Sequence, residues 1–329
     1  MNIRLPPEQV GPDSTCSKRT LHTRATNRCG EHTGTETTLS EEKRIQNFGL
    51  QRNWRASIQL GFDVANGKTV MSEMRFDGPL RVQRPFYPEG APCHVYLLHP
   101  PGGMVSGDSL KVSIDVGHKA HALLTTPSAG KIYGADSCQV PQSQEISIRV
   151  EEGGICEWLP QENIVFNRAN ANLETRISLA KNAGLIAWDL VALGRPEGEH
   201  WFTRGSLQQS LSITREERPL VIERFVLDDD LALMESQAGL MGMNVYGSMY
   251  LVLSDRSGEA TGIVDDIREC LPDPDRHLVS ACTYRNGIIS LRALAMSAQT
   301  LRLLFVSIWE RIRTQVTGCA PSTPRIWST

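Results

Sequence analysis

Apolar and polar side chains alternate with a period of two through most of this chain, in short runs broken by turn residues. Trp54 to Phe62 alternates in part, Asn66-Gly67 supplies a hairpin signal, and Thr69 to Phe76 returns. Leu80 to Gln83 is a further short run, after which Pro85, Pro88 and Pro92 make the chain irregular. Val95 to Leu98, Leu110 to Val116, His121 to Thr126, Lys131 to Tyr133, Glu145 to Val150 and Ile155 to Leu159 follow, with a tight turn at Glu151-Glu152-Gly153-Gly154. Leu173 to Leu179, Leu185 to Leu193, Leu207 to Ile213 and Leu220 to Leu227 continue the series. Regular short strands of this kind predict an all-β-dominated body, whether solenoid, sandwich or barrel, rather than a helix-connected α/β sheet.

Helical periodicity surfaces in two places. Asp228-Asp229-Asp230 ahead of Leu231, Leu233 and Met234 predicts a short helix with acids at its positive end. Leu301, Leu304, Phe305, Ile308, Trp309, Ile312 and Val316 share one face of a longer amphipathic helix near the C-terminus, with Arg311 and Arg313 in its last turns and Gly318 as the residue that closes it. That stripe reads as core, with partner binding by the outer face as the less favoured alternative. Residues 1–50 are poor in large apolar side chains, which predicts a disordered tail and leaves 51–329 as a single β-rich domain.

One stretch constrains the backbone more than any other. Val95 to Leu98 runs into His99-Pro100-Pro101-Gly102-Gly103, and Gly107-Asp108 precedes the next strand. Proline fixes φ and glycine alone reaches positive φ cheaply, so this is a stiff strand-to-strand turn in which Asp108 is placed to act as a cap. Gly102 to Ser109 resembles a phosphate loop in spacing, but Asp108 stands where the lysine must be and would repel an anion. Gly107-Asp108-Ser109-Leu110 also spells the nucleophile block of GDSL esterases, with Ser109 as the attacking hydroxyl. A nucleophilic serine sits on a turn into a helix, whereas Ser109 leads into strand-like alternation, and Asp273 and His277 are spaced one residue too far for that pattern.

Composition narrows the classes. With 329 residues, 40% hydrophobic and 22% charged, 34 basic against 37 acidic, the net charge of −3 gives no nucleic-acid footprint. No apolar run approaches the roughly 18 residues of a membrane helix, and no export signal precedes the first strand. The eight cysteines are scattered without a C-x-x-C pair, which reads as reduced thiols in a cytoplasmic protein.

Metal and acid-base chemistry find little purchase. His22, Cys29 and His32 fit no compact site. His118 and His121, if 112–124 is one strand, point to opposite faces, and His94 and His99 also differ in parity. Glu157 and Glu162 flank a proline turn and would be neighbours, but as paired or hydrogen-bonded carboxylates rather than an acid/base couple. No complete catalytic set emerges, so the chain reads as one that holds something rather than transforms it.

Several blocks, in order, resemble the urease accessory protein D family, called H in some organisms. They are Leu98-His99-Pro100-Pro101-Gly102-Gly103 through Gly107-Asp108; Leu124-Thr125-Thr126-Pro127 with Lys131 and Tyr133; Glu157-Trp158-Leu159-Pro160-Gln161-Glu162 with Ile164-Val165-Phe166; Gly194-Arg195-Pro196; Arg292-Ala293-Leu294-Ala295; and the terminal Pro324-Arg325-Ile326-Trp327. The similarity spans about residues 54–329. It implies a β-helix-like fold and a non-enzymatic scaffold that joins an all-helical accessory protein (F) and a GTPase (G) to the urease apoprotein. It also implies that nickel passes through the interior as cargo, with no tightly bound cofactor. On this reading the quoted motif residues serve as turn, partner or route, and Asp108, Glu157 and Glu162 are the transient nickel contacts. Ser128-Ala129-Gly130 and Gly134 depart from the family pattern, in which Gly-Ala-Thr and an arginine stand.

Overall fold

The computed structural model describes residues 53–228, 231–254 and 259–328. The expected tail over 1–50, with His22, Cys29 and His32, lies outside the described residues, as do Asp229 and Asp230 of the acidic run. The protein is β-dominated, about 49% strand and 16% helix.

Strands β1 (Trp54–Ala65) and β2 (Lys68–Asp77) form the first hairpin, turned at Asn66 and Gly67, whose φ of 51° and 73° are those the Asn-Gly pair favours. After β3 (Arg81–Val82), the chain passes repeatedly between two sheets. β4 (Cys93–Leu98), β6 (His121–Thr125), β9 (Ile155–Trp158) and β12 (Gly184–Arg195) pair in parallel in one of them. β5 (Asp108–Val116), β8 (Gln142–Val150), β11 (Asn170–Leu179) and β14 (Ser206–Arg215) join β1 in parallel in the other. Short strands β7 (Gly130–Ile132), β10 (Asn163–Val165) and β13 (His200–Trp201) lie in the connections, and β15 (Arg218–Leu227) closes the first sheet antiparallel to β14. Helix α1 (Ala232–Glu235) leads to β16 (Val245–Val252). Helix α2 (Ala260–Cys270), β17 (Leu278–Arg285), β18 (Ile288–Ala295) and helix α3 (Ala298–Thr317) complete the chain. β16, β18 and β17 extend the second sheet antiparallel beyond β12.

The two kinds of corner differ. From first sheet to second the turns are four residues long, 117–120, 151–154 and 180–183, and they ladder onto one another. Glu151 N–H donates to Val116 O at 2.8 Å, Ala180 N–H to Val150 O at 2.8 Å, and Glu216 N–H to Leu179 O at 2.9 Å. From second sheet to first the connections are long, 99–107, 126–141, 159–169 and 196–205, and they stack at the opposite end. His118 sits in the first short corner, so 112–124 is not one strand: His118 is exposed at the turn, whereas His121 is buried on β6 of the other sheet.

Burial follows the alternation. Ile58, Leu60, Ile114, Ile148, Ile177 and Ile213 of the first sheet meet Val95, Leu124, Leu185, Ala187, Val191 and Val252 of the second. The outer face of the first sheet is polar, with Lys111, Glu145 and Arg176 side by side across neighbouring strands. The second sheet is buried on both faces, which is why β12 reads as a nearly continuous apolar run. Its far face (Leu123, Ile186, Trp188, Met249, Leu251, Leu291) is covered by α2 and α3. Leu301, Phe305, Ile308, Trp309 and Ile312 of α3 are fully buried there, each worth about 1.5–3 kcal/mol of transfer free energy. Gly318 (φ 77°) closes α3, its N–H bonded to Thr314 O at 2.9 Å, as expected.

Candidate functional site

Because the long connections stack, motif blocks about thirty residues apart in the chain become neighbours. Met104 N–H donates to Lys131 O (2.7 Å) and Tyr133 N–H to Met104 O (3.0 Å), while Gly130, Asn163 and Val191 lie side by side through β7, β10 and β12. They enclose a cavity of about 300 Å³ lined by His99, Pro100, Gly102, Gly103, Thr126, Pro127, Lys131, Pro160 and Gln161, with Met104, Trp158 and Asp189. The Pro-Pro-Gly-Gly turn forms one wall: Gly102 takes φ 77°, and its N–H donates to His99 O at 3.0 Å. Tyr133 lies over Gly103, where an added Cβ would come within 2.4 Å of its ring, and stacks on Phe166 at 5.4 Å. Burial holds the His99 pKa below the ordinary imidazole value, with the Asp108 charge opposing it, so His99 presents a neutral ring.

The remaining motif residues lie elsewhere. Asp108 caps the turn, accepting Val105 N–H at 2.9 Å, and with Gly107 borders a surface hollow beside Arg55 and Lys111. Pro101 and Arg195 are exposed, and Glu162 meets the site through its backbone carbonyl, which accepts Gly130 N–H at 2.9 Å. Thr125 stands behind the wall, donating to Leu159 O at 2.5 Å. Ser109 belongs to β5, paired in the sheet with Arg55 and Ser143, not to a turn entering a helix. His277, the histidine of the esterase pattern, bonds to Arg276.

Glu157 faces the helices, away from the cavity. Its carboxylate accepts His121 Nε2 (2.7 Å), Trp309 Nε1 (2.7 Å) and Arg313 Nη2 (2.7 Å) and Nε (3.0 and 3.1 Å). Arg313 also forks onto Glu89 at 2.7 Å on both nitrogens, and Glu89 bonds His94 Nε2 at 2.5 Å. Arg313 therefore turns inward as a buried cation, rather than serving the helix end as its position suggested. Burial works against ionisation of Glu157, but the His121 and Arg313 bonds outweigh it and hold its pKa at about 2. Burial likewise opposes the charge on His121, but Cys319 and Glu157 lift it to about 9. The depressed Glu157 value contributes stability that is complete above about pH 4.5 and is lost toward pH 2. The raised His121 value contributes stability that is complete below about pH 6.5 and is lost through pH 9. Melting temperature should therefore peak between these limits, and His121→Gln should flatten the alkaline limb in a pH series of thermal melts.

Asp189 is the functional candidate that strand periodicity passes over. It occupies a position of β12 that faces between the sheets, and it lines both the 300 Å³ cavity and a second one of about 780 Å³. Its neighbours in the larger cavity include Gln209, Glu223, Tyr246, Tyr250 and Arg292. Asp189 is half-buried in an otherwise buried stretch of the strand. Gln209 Nε2 donates to it at 2.7 Å and in turn Tyr246 OH donates to Gln209 Oε1 at 2.6 Å. Burial raises its pKa to about 6 against the Gln209 and Leu190 backbone bonds. Among the described residues no lysine or arginine pairs with it, and no group of three or more His, Cys, Asp or Glu side chains is arranged to hold a metal ion.

The molecule is thus a two-sheet β protein in which several of the motif residues line one cavity, with Asp189 lining both that cavity and a second. The family model for the UreD urease accessory protein matches residues 55–328. A urease accessory protein UreD from Alkalilimnicola ehrlichii is 40% identical over 276 residues, covering 84% of this chain and 92% of that one. Those from Chromohalobacter salexigens (40% over 291 residues; 86% and 91% covered) and Pseudoalteromonas translucida (39% over 297 residues; 88% and 96%) are similar to it to the same degree. The chain belongs to the UreD urease accessory protein family. No helix among the described residues is long and apolar enough to cross a membrane.

Proposed function

We propose that this protein serves urease maturation as a docking frame through which nickel, as cargo, reaches the urease apoprotein, in company with the helical accessory protein F and the GTPase accessory protein G. Family membership supports the role in urease maturation. A single observation supports the interior route: two cavities, of about 300 and 780 Å³, are both lined by Asp189. A lone carboxylate with neutral amide donors binds a divalent ion weakly and lets it go, whereas a closed set of thiolates and imidazoles would trap it. Neutral His99 at the turn end of the smaller cavity offers a second weak donor. Glu157, offered above as a nickel contact, has both oxygens committed to Arg313, Trp309 and His121, so Asp189 takes its place in the proposed route. On this reading GTP hydrolysis falls to accessory protein G, with which the turn at 102–109 agrees, since it carries Asp108 in place of the phosphate-binding lysine.

The test is nickel-dependent activation of apo-urease reconstituted with both accessory partners. Asp189→Asn keeps the shape and the Gln209 neighbourhood but removes the charge. It should cut the activation rate by about tenfold or more while the partner complex still forms, since a lost charged contact is worth roughly 1.5–3 kcal/mol. Full activation by this variant would remove Asp189 from the route.

A further inference from the structure

Beyond the helix closed by Gly318, the chain doubles back and brings Trp327 into the aromatic layer between α3 and the second sheet. Thr323 Oγ1 donates to Glu310 at 2.7 Å, and Arg313 Nη1 bonds Ala320 O. A short 3-10 turn, Arg325–Ser328, then places Trp327 between Trp188 and Trp309, each ring centroid 5.4 Å away. Trp327 is only 7% exposed, its carbonyl accepts Arg302 Nη1 at 3.0 Å, and the Tyr96 hydroxyl engages the Ile326 backbone.

The indole N–H of Trp327 reaches the cavity wall from behind. It donates to Thr125 Oγ1 at 2.9 Å, and the same hydroxyl donates to Leu159 O at 2.5 Å. One residue beyond each of these, the wall itself begins: Thr126 and Pro127 on one turn, Pro160 and Gln161 on the next. Thr126 Oγ1 accepts Gln161 N–H at 2.9 Å, and Trp188, which packs on Trp327, donates Nε1 to Pro160 O at 2.7 Å. A buried hydroxyl with one proton and one acceptor used fixes both neighbours in direction as well as distance.

We propose that the C-terminal segment 318–328 is a bolt, with Trp327 as a positioning residue that, through Thr125, sets the two turns walling the cavity. The inference rests on the reading of that cavity as the nickel route. Removing the bond leaves the fold held by its two cores but lets the wall relax, so transfer slows while assembly persists.

Trp327→Phe removes the N–H and keeps an aromatic ring in the cleft; Thr125→Val removes the hydroxyl at similar volume. Both are measured in the complete complex with both partners, alongside Asp189→Asn, recording maximal activation rate, half-saturating nickel concentration, complex formation and melting temperature. Each bolt variant should lower the maximal rate by about five- to tenfold with the complex intact, and the double variant should be no slower than the slower single one, as expected for two ends of one contact. Should Thr125→Val fail to fold, Trp327→Phe carries the test. Wild-type activation in Trp327→Phe with Asp189→Asn impaired overturns the bolt and leaves the route standing. Wild-type activation in Asp189→Asn overturns the route and the bolt with it.

Discussion

Arg313→Met should lower stability by about 3–5 kcal/mol, the cost of leaving buried carboxylates without their cation. Glu157 and Arg313 are fully buried and Glu89 nearly so, and the guanidinium is shared between the two acids and the Ala320 carbonyl. The pair joins β9 to the last turns of α3, so the loss is felt where the helix packs on the second sheet. Methionine fills the volume but removes the cation the two acids share, leaving Glu157 with His121 and Trp309 and Glu89 with His94. Losing the Arg313 bonds should raise both folded pKa values from their depressed wild-type positions, so the deficit should grow as the carboxylates ionise with rising pH from 4 to 8. Glu157→Gln should cost less, because Arg313 keeps Glu89. Arg313→Lys will not rescue, since an ammonium cannot fork onto two carboxylates at once. Urea unfolding midpoints of the three variants at two pH values provide the measurement. A wild-type midpoint for Arg313→Met would mean the cluster is not closed in solution.

Most of the strands up to Leu227, though not their order in the sheets, were legible because they are half-buried or fully buried with an even period and the turns between them are marked by glycine, proline or asparagine. The chain from Val245 to Ala295 was not. β16 interrupts its apolar face with Gly247 and Ser248, and β17 has a largely exposed surface, so neither alternates cleanly. Asn286-Gly287 (φ 53° and 82°) was a readable hairpin signal between β17 and β18, and Ile263, Val264 and Ile267 lie at helical spacing in α2. The site was legible in part. The Pro-Pro-Gly-Gly turn and the Thr-Thr-Pro and Leu-Pro-Gln blocks each carry local backbone constraints, but only the stacking of the long corners shows that they share a cavity. Asp189 had a signal of its own, a single acid inside the apolar run Leu185 to Leu193, since a charge in a strand buried on both faces requires a reason. The Glu89–Arg313 contact had none: the partners are 224 residues apart and no local pattern couples them.

Gly194→Ala should destabilise the protein by about 3 kcal/mol or more, the combined cost of left-handed backbone for a residue with a Cβ and of overlap with main chain that cannot swing away. Gly194 has φ 76°, and an added Cβ would lie 2.3 Å from His200 O and 2.8 Å from Phe202 N. The glycine of Gly194-Arg195-Pro196 is thus set by the close return of β13 onto the end of β12, which pairs Gly194 with Trp201 and Arg195 with His200. The same strand carries Asp189 five residues earlier, and its pairing with β10 through Val191 to Leu193 holds the cavity end of that connection. Displacing the return should therefore disturb the site as well as the fold. Gly205→Ala (φ 136°, with Ala169 O 2.8 Å from the added Cβ) is a comparison at the far end of the same connection and should behave alike. Gly67→Ala, at φ 73° but with open space around the added atom, isolates the backbone contribution and should cost only about 1–2 kcal/mol. Thermal and urea unfolding of the three variants separates the two effects, and equal losses at Gly67 and Gly194 would show that steric overlap at the β12–β13 return relaxes away.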